Sequence, residues 1–282
     1  MTVEEIGALR DPVLVAAFEG WNDAADAATA AVEHLEIAWS ARPLAAIDPD
    51  DYYDFQVNRP TVTLVNGETR RIQWPTTRLS LCRLEQRDVV LVRGLEPNMR
   101  WRAFCDELIA IAHELEVDLC VTIGALLADA PHTRPIPVTG TASDSATAAR
   151  LHLDRSRYEG PTGIVGVFHD ACLRAELPSV SFWAAVPHYV SQPPCPKATL
   201  ALLHRIEDLL ELPVPLGDLP DSARVWERGV DELAEEDSEV AEYVRSLEQR
   251  DDITELPEAS GDQIAREFER YLRRGGDDTP PD

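Results

Sequence analysis

Lysine is all but missing from this chain: of 26 basic residues among 282, only Lys197 is one, and acids exceed bases to leave a net charge of −25. So acidic a surface repels phosphate backbones and excludes nucleic acid as a partner. Cysteine is scarce. Cys82, Cys105, Cys120, Cys172 and Cys195 are odd in number, widely spaced and never in a CxxC pair. Neither a disulfide framework nor a cysteine metal site is expected, and a reducing cytoplasm suits such a chain. Of the five, Cys195 between Pro194 and Pro196 is the one expected at the surface. No apolar run approaches the roughly 20 residues that cross a bilayer, so no membrane association is expected. The first apolar run is only about six residues long and follows acids, which argues against a secretory signal.

Catalytic signatures are missing too. There is no GxSxG elbow, no P-loop and no HExxH. Gly160, Gly163 and Gly166 do not make a strict GxGxxG, and a dinucleotide site is not supported. His169 and Asp170 are adjacent on an expected helix and face different ways. No metal and no cofactor is expected.

What is present is an alternation of buried strands and helices. Val13–Phe18 is an unbroken apolar run, as in a strand covered on both faces. Glu19-Gly20 turns the chain, and an Ala-rich helix is expected from Ala24 to Leu35. Pro43–Ile47 is a short strand candidate, and Asp48–Phe55 reads as an ordered loop. Thr61–Val65 and Thr69–Trp74 flank Asn66-Gly67, a strong hairpin signal, and this hairpin is expected to cover a sheet edge. Further strands are expected at Asp88–Gly94, Leu119–Ala125 and Ser179–Val186. The prolines at 135 and 137 demote Ile136–Gly140 to an irregular or edge strand. Helices are expected at about 99–115, 163–176 and 196–210. This pattern predicts a three-layer α/β/α fold with a mostly parallel mixed sheet over residues 1–218. Residues 219–282 hold 20 acids against 8 arginines. An acidic helical region is expected over 219–275, including a helix around Ile264–Leu272, followed by a disordered tail over 276–282.

Three strands run out at Gly20, Gly94 and Gly124. Open α/β sheets bind ligands at the carboxyl ends of their strands. A cleft there would gather Glu19, Gly20, Trp21, Asn22, Asp23, Gly94, Glu96, Asn98, Gly124, His132, Arg134 and His188. Paired carboxylates could act as acid and base if one were desolvated. The His132–Arg134 loop suits an anion or carboxylate. The same residues also have structural uses: Asn22 and Asp23 as helix caps, the glycines as turns, Arg134 in an ion pair.

Several stretches together resemble the PAC2 family, related to proteasome assembly chaperone 2 of eukaryotes. They are Val15–Asp23, Gly94–Asn98, Leu119–Leu127 with Pro131–Arg134, and Tyr158–Gly163 with Ser179–Pro187. The resemblance is nearest to the actinobacterial branch and spans about residues 10–250. It implies a phosphorylase/hydrolase-like fold and homo-oligomers, for which a trimer is the expectation. It brings no established reaction, and eukaryotic members are non-enzymatic chaperones of proteasome α-subunits. Some assembly factors dock through a terminal hydrophobic-Tyr-X tail. Pro280-Pro281-Asp282 departs from that pattern, which argues against direct proteasome docking.

Two functions follow from these observations. One is a non-enzymatic, self-associating interaction or assembly protein. The alternative is a small-molecule hydrolase or phosphorylase-like enzyme, in which Glu19, Asp23, Glu96 and His132 meet in one pocket.

Overall fold

A computed structural model describes residues 6–65 and 69–249. The centre is an eight-stranded sheet in the order β2-β5-β6-β1-β7-β10-β8-β9. Its strands are β1 (Val13–Glu19), β2 (Arg42–Ala46), β5 (Arg78–Arg83), β6 (Asp88–Leu95), β7 (Leu119–Ala128), β8 (Val138–Ala142), β9 (Asp154–Arg155) and β10 (Ser179–Pro187). The four central strands β6, β1, β7 and β10 are parallel. Antiparallel pairings of β5 with β6, β2 with β5 and β8 with β10 flank them. The architecture is therefore α/β with a mostly parallel mixed sheet.

Among the described residues, seven α-helices complete it: α1 (Ala27–Ala38), α2 (Trp101–Glu114), α3 (Ser145–Leu151), α4 (Ile164–Arg174), α5 (Pro196–Leu210), α6 (Leu219–Glu236) and α7 (Ser238–Glu248). Side chains of a strand alternate between faces, so β1 splits its apolar run in two. Val13, Val15 and Ala17 meet Ala28, Val32 and Leu35 of α1 and Leu202 and Ile206 of α5. Leu14, Ala16 and Phe18 meet Phe104 and Leu108 of α2 and Val165 and Phe168 of α4. Both faces of β1 are thus covered, which is why it carries no polar residue before Glu19.

Several local expectations change. Gly94 and Gly124 lie inside β6 and β7 and do not turn the chain. Each instead admits a close neighbour: a Cβ on Gly94 would lie 2.6 Å from the Thr77 Cα, and one on Gly124 2.7 Å from the Trp183 ring. Only Gly20, at φ +112°, makes a turn that excludes other residues. Cys195 is fully buried, because it opens α5 against the α1 layer and its N–H reaches the Ala25 carbonyl at 3.3 Å. Strand β5, helix α3 and the two-residue β9 carry too little periodic pattern to be expected from sequence. The hairpin strands β3 (Thr61–Val65) and β4 (Thr69–Gln73) form, as expected, an antiparallel pair, which is a two-stranded sheet of its own. The Asn66-Gly67 turn, the helix expected around Ile264–Leu272 and the tail over 276–282 lie outside the described residues, wholly or in part.

Candidate functional site

Asp23, Asn22 and Glu96 are the buried polar groups where β1 and β6 end. Asp23 accepts the backbone N–H groups of Ala28 at 2.6 Å and Thr29 at 3.2 Å, and the Thr29 hydroxyl. It thereby satisfies the donors that the first turn of α1 leaves open. Burial pushes its carboxyl up to about 6, against the lowering effect of those hydrogen bonds.

Glu96 anchors a different helix. Its Oε1 accepts the Ile164 N–H at the start of α4 and the Asn22 side-chain amide, each at 2.8 Å. Burial raises its carboxyl pKa, while the Ile164, Asn22 and Trp21 donors pull it back. The negative charge that a helix N-terminus attracts is here supplied by the chain itself. Gly163 makes this approach possible: a Cβ there would fall on the Asn22 amide and lie 2.7 Å from Glu96 Oε1. Asn22 Oδ1 has no hydrogen-bonding partner among the described residues and abuts the same glycine.

Glu19 stands apart from Glu96. It follows Ala17 on the α1 side of the sheet, whereas Glu96 reaches α4 on the other. Burial raises its pKa, and Arg93 opposes the shift. Arg93 itself is held by Glu36 of α1, at 2.8 Å. Asn98 braces the loop after β2, accepting the Asp54 N–H and the Asn58 amide at 2.8 Å each.

The His132 loop serves the carboxyl-terminal helices. His132 is fully buried, with Nδ1 2.8 Å from the Tyr189 hydroxyl and Nε2 3.0 Å from Asp231 on α6. Lys197 donates to the His132 carbonyl at 2.5 Å and to Glu227 of α6 at 2.6 Å. Thr133 donates to the Glu248 carboxylate at 2.6 Å and Arg134 to the Glu248 carbonyl at 2.5 Å, at the end of α7. His188 packs edge-on against Tyr243 of α7, whose hydroxyl donates to Asp129 at 2.8 Å. The loop over 129–134 therefore clamps α6 and α7 to the ends of β7 and β10.

The structure thus brings Asn22 together with Glu96, and His132 with Asp231 and Tyr189. Among the described residues, no side-chain hydrogen bond joins any two of Glu19, Asp23, Glu96 and His132; Glu19 and Glu96 meet only through the main chain, where the Glu96 N–H donates to the Glu19 carbonyl at 2.9 Å. Lys197, Glu227, Asp231 and Glu248 escaped the sequence reading. Lys197, the only lysine, was the one available signal; the three acids were lost among many on an acidic stretch. A groove of about 430 Å³ lies at the opposite end of the sheet, lined by Ser143, Asp144, Thr147, Arg150, Glu176 and Leu177 beside the entry to β10. Among the described residues no group of His, Cys, Asp or Glu could hold a metal ion, and no helix is long and apolar enough to cross a membrane.

Comparison with solved structures gives close relatives. A PAC2 family protein from Streptomyces avermitilis is 63% identical, with a TM-score of 0.79, over 83% of this chain and all of that one. A proteasome-assembly chaperone homologue from Mycobacterium tuberculosis is 60% identical, with a TM-score of 0.76, over 82% of this chain and 99% of that one. An archaeal homologue of proteasome-assembly chaperone from Pyrococcus furiosus shares the fold at 13% identity and a TM-score of 0.59, over 80% and 93% of the two chains. No curated protein matches. The PAC2 family model matches residues 17–234, from the end of β1 into α6. On these grounds the chain belongs to the PAC2 family, in the actinobacterial branch that the Streptomyces and Mycobacterium relatives represent.

Proposed function

We propose that this protein is a non-enzymatic, self-associating assembly protein of the cytoplasm, with a homotrimer as its working form. One observation carries the reading. Most of the polar groups at and beside the strand ends hold helices: Asp23 holds α1, Glu96 holds α4, and His132, Lys197 and Arg134 hold α6 and α7. A general acid or base needs its proton-carrying atom within reach of a substrate. The His132 ring has both nitrogens engaged by protein and is closed off from solvent. The Mycobacterium tuberculosis relative, described as a proteasome-assembly chaperone homologue, suggests protein as the partner class and the proteasome as the first candidate.

The test is affinity capture of the full-length protein from its native lysate, with protein and small-molecule contents both quantified by mass spectrometry. Enrichment of proteasome subunits over an unrelated tagged control is the expected result. A metabolite retained at one equivalent per chain and turned over by the purified protein, with no protein enriched, would overturn the reading.

A further inference from the structure

The hairpin β3–β4 has one face that nothing among the described residues covers. Its register sets Val62 opposite Ile72 and Leu64 opposite Arg70. Val62, Leu64 and Ile72 therefore share a face, which Trp74 continues, while Thr61, Thr63, Arg71 and Gln73 share the other. The apolar face is open to solvent, with Val62 48%, Leu64 63%, Ile72 54% and Trp74 47% exposed. A two-stranded ribbon is marginal by itself and needs cover on its apolar side. Among the described residues, the edge-on contact of Trp74 with Phe55 ties its base. The hairpin is also basic for this molecule: residues 59–74 hold three arginines and one glutamate, in a chain of net charge −25.

On the helices, Ile37 of α1 and Leu173 of α4 are exposed singly, whereas α6 exposes two large apolar side chains. Val225 and Leu233 are 58% and 55% exposed, and Gly229 between them has open space above it. Spacings of four residues put all three on one stripe. Glu232 and Glu236, each three residues past a stripe position, border it, and both are exposed. The stripe offers apolar contact rimmed by acid, the complement of an apolar face that carries Arg70. The hairpin leaves the molecule beside β5, whereas α6 packs outside α5.

We propose that the apolar face of the β3–β4 hairpin docks on the Val225–Gly229–Leu233 stripe of α6 in a second copy of this chain. The inference rests on the self-association reading above and adds the surfaces that perform it. Different patches meet, so the contact is head-to-tail, and repeating it closes a ring when the rotation allows.

Full-length wild type and variants are compared by sedimentation and light scattering, with circular dichroism as the check on folding. The wild type is expected to be an oligomer. Leu64→Asp with Ile72→Asp, on exposed positions, is expected to weaken association about 30-fold or more and yield monomer. Arg70→Glu is expected to weaken it, as is Glu232→Arg with Glu236→Arg, and the chain carrying all three charge reversals is expected to re-form the oligomer. Hydrogen exchange over residues 61–74 is expected to be slow in the wild type and fast in the α6 variant. A wild-type oligomer whose mass survives the Leu64/Ile72 change overturns the docking but not self-association. A monomeric wild type overturns both. Hairpin protection that persists in the α6 variant assigns the cover to something other than α6 and overturns the inference.

Discussion

Glu96 holds the side-chain amide of Asn22 at 2.8 Å, and the same carboxylate oxygen takes the first N–H of α4. Three segments far apart in sequence, the exits of β1 and β6 and the start of α4, are thereby fixed by one oxygen. The arrangement leaves room only for glycine at position 163.

Gly163→Ala is therefore expected to destabilise the protein by about 1–3 kcal/mol, the usual cost of forcing extra atoms into a close-packed site. The urea midpoint should fall with an unchanged slope. An unaltered midpoint would mean that the Asn22–Glu96 contact yields freely.

Asp23 gives a pH dependence. Its folded pKa, about 6, lies above the ordinary carboxylate value. Between about pH 4 and 6 the folded chain holds a proton that the unfolded chain has released, so this group adds stability as pH falls through 6. The full effect is about 3 kcal/mol by linkage. Urea unfolding of wild type and Asp23→Asn should show the wild type gaining on the variant between pH 7.5 and 4.5. A difference independent of pH would contradict the shifted pKa.

His132→Ala empties a fully buried position, removes the bridge between Tyr189 and Asp231, and should cost about 1–3 kcal/mol. The loss should be local. Hydrogen exchange should quicken across α6 and α7, at residues 219–248, and stay slow in β1 and β7. Acceleration throughout the sheet would show that the clamp supports the whole fold.

The five cysteines should be silent towards thiol reagents in the native state. All are buried, and burial pushes Cys82 and Cys105 up to about 12 and Cys195 to about 11. Only a thiolate reacts readily. Titration with a chromogenic disulfide should find no fast thiol before denaturant and five after it. A native thiol reacting within seconds, from Cys195 above all, would refute this.

The sequence by itself determined the layers. Runs such as Val13–Phe18 and Leu119–Ala125 carry enough apolar residues to specify strands buried on both faces. The helical spacing of Phe104, Leu108 and Ala112, and of Val165, Phe168 and Cys172, specifies the stripes that cover them. These signals are local, because burial imposes its period on neighbours in the chain. The ordered presence of the strand-exit motifs was enough to indicate the family. Only the tertiary structure decided what the polar residues do. Glu19 and Glu96 look equivalent in sequence, each at the end of a strand, yet the pleat sends one towards α1 and the other towards α4. His132 resembles a ligand-binding residue in the sequence, but Asp231, 99 positions later, occupies its Nε2. Gly94 and Gly124 read as turns, but the need they meet is room for Thr77 and Trp183. In each case the deciding partner comes from a distant segment, and a hydrogen bond or a steric approach across that separation leaves no period in the chain to read.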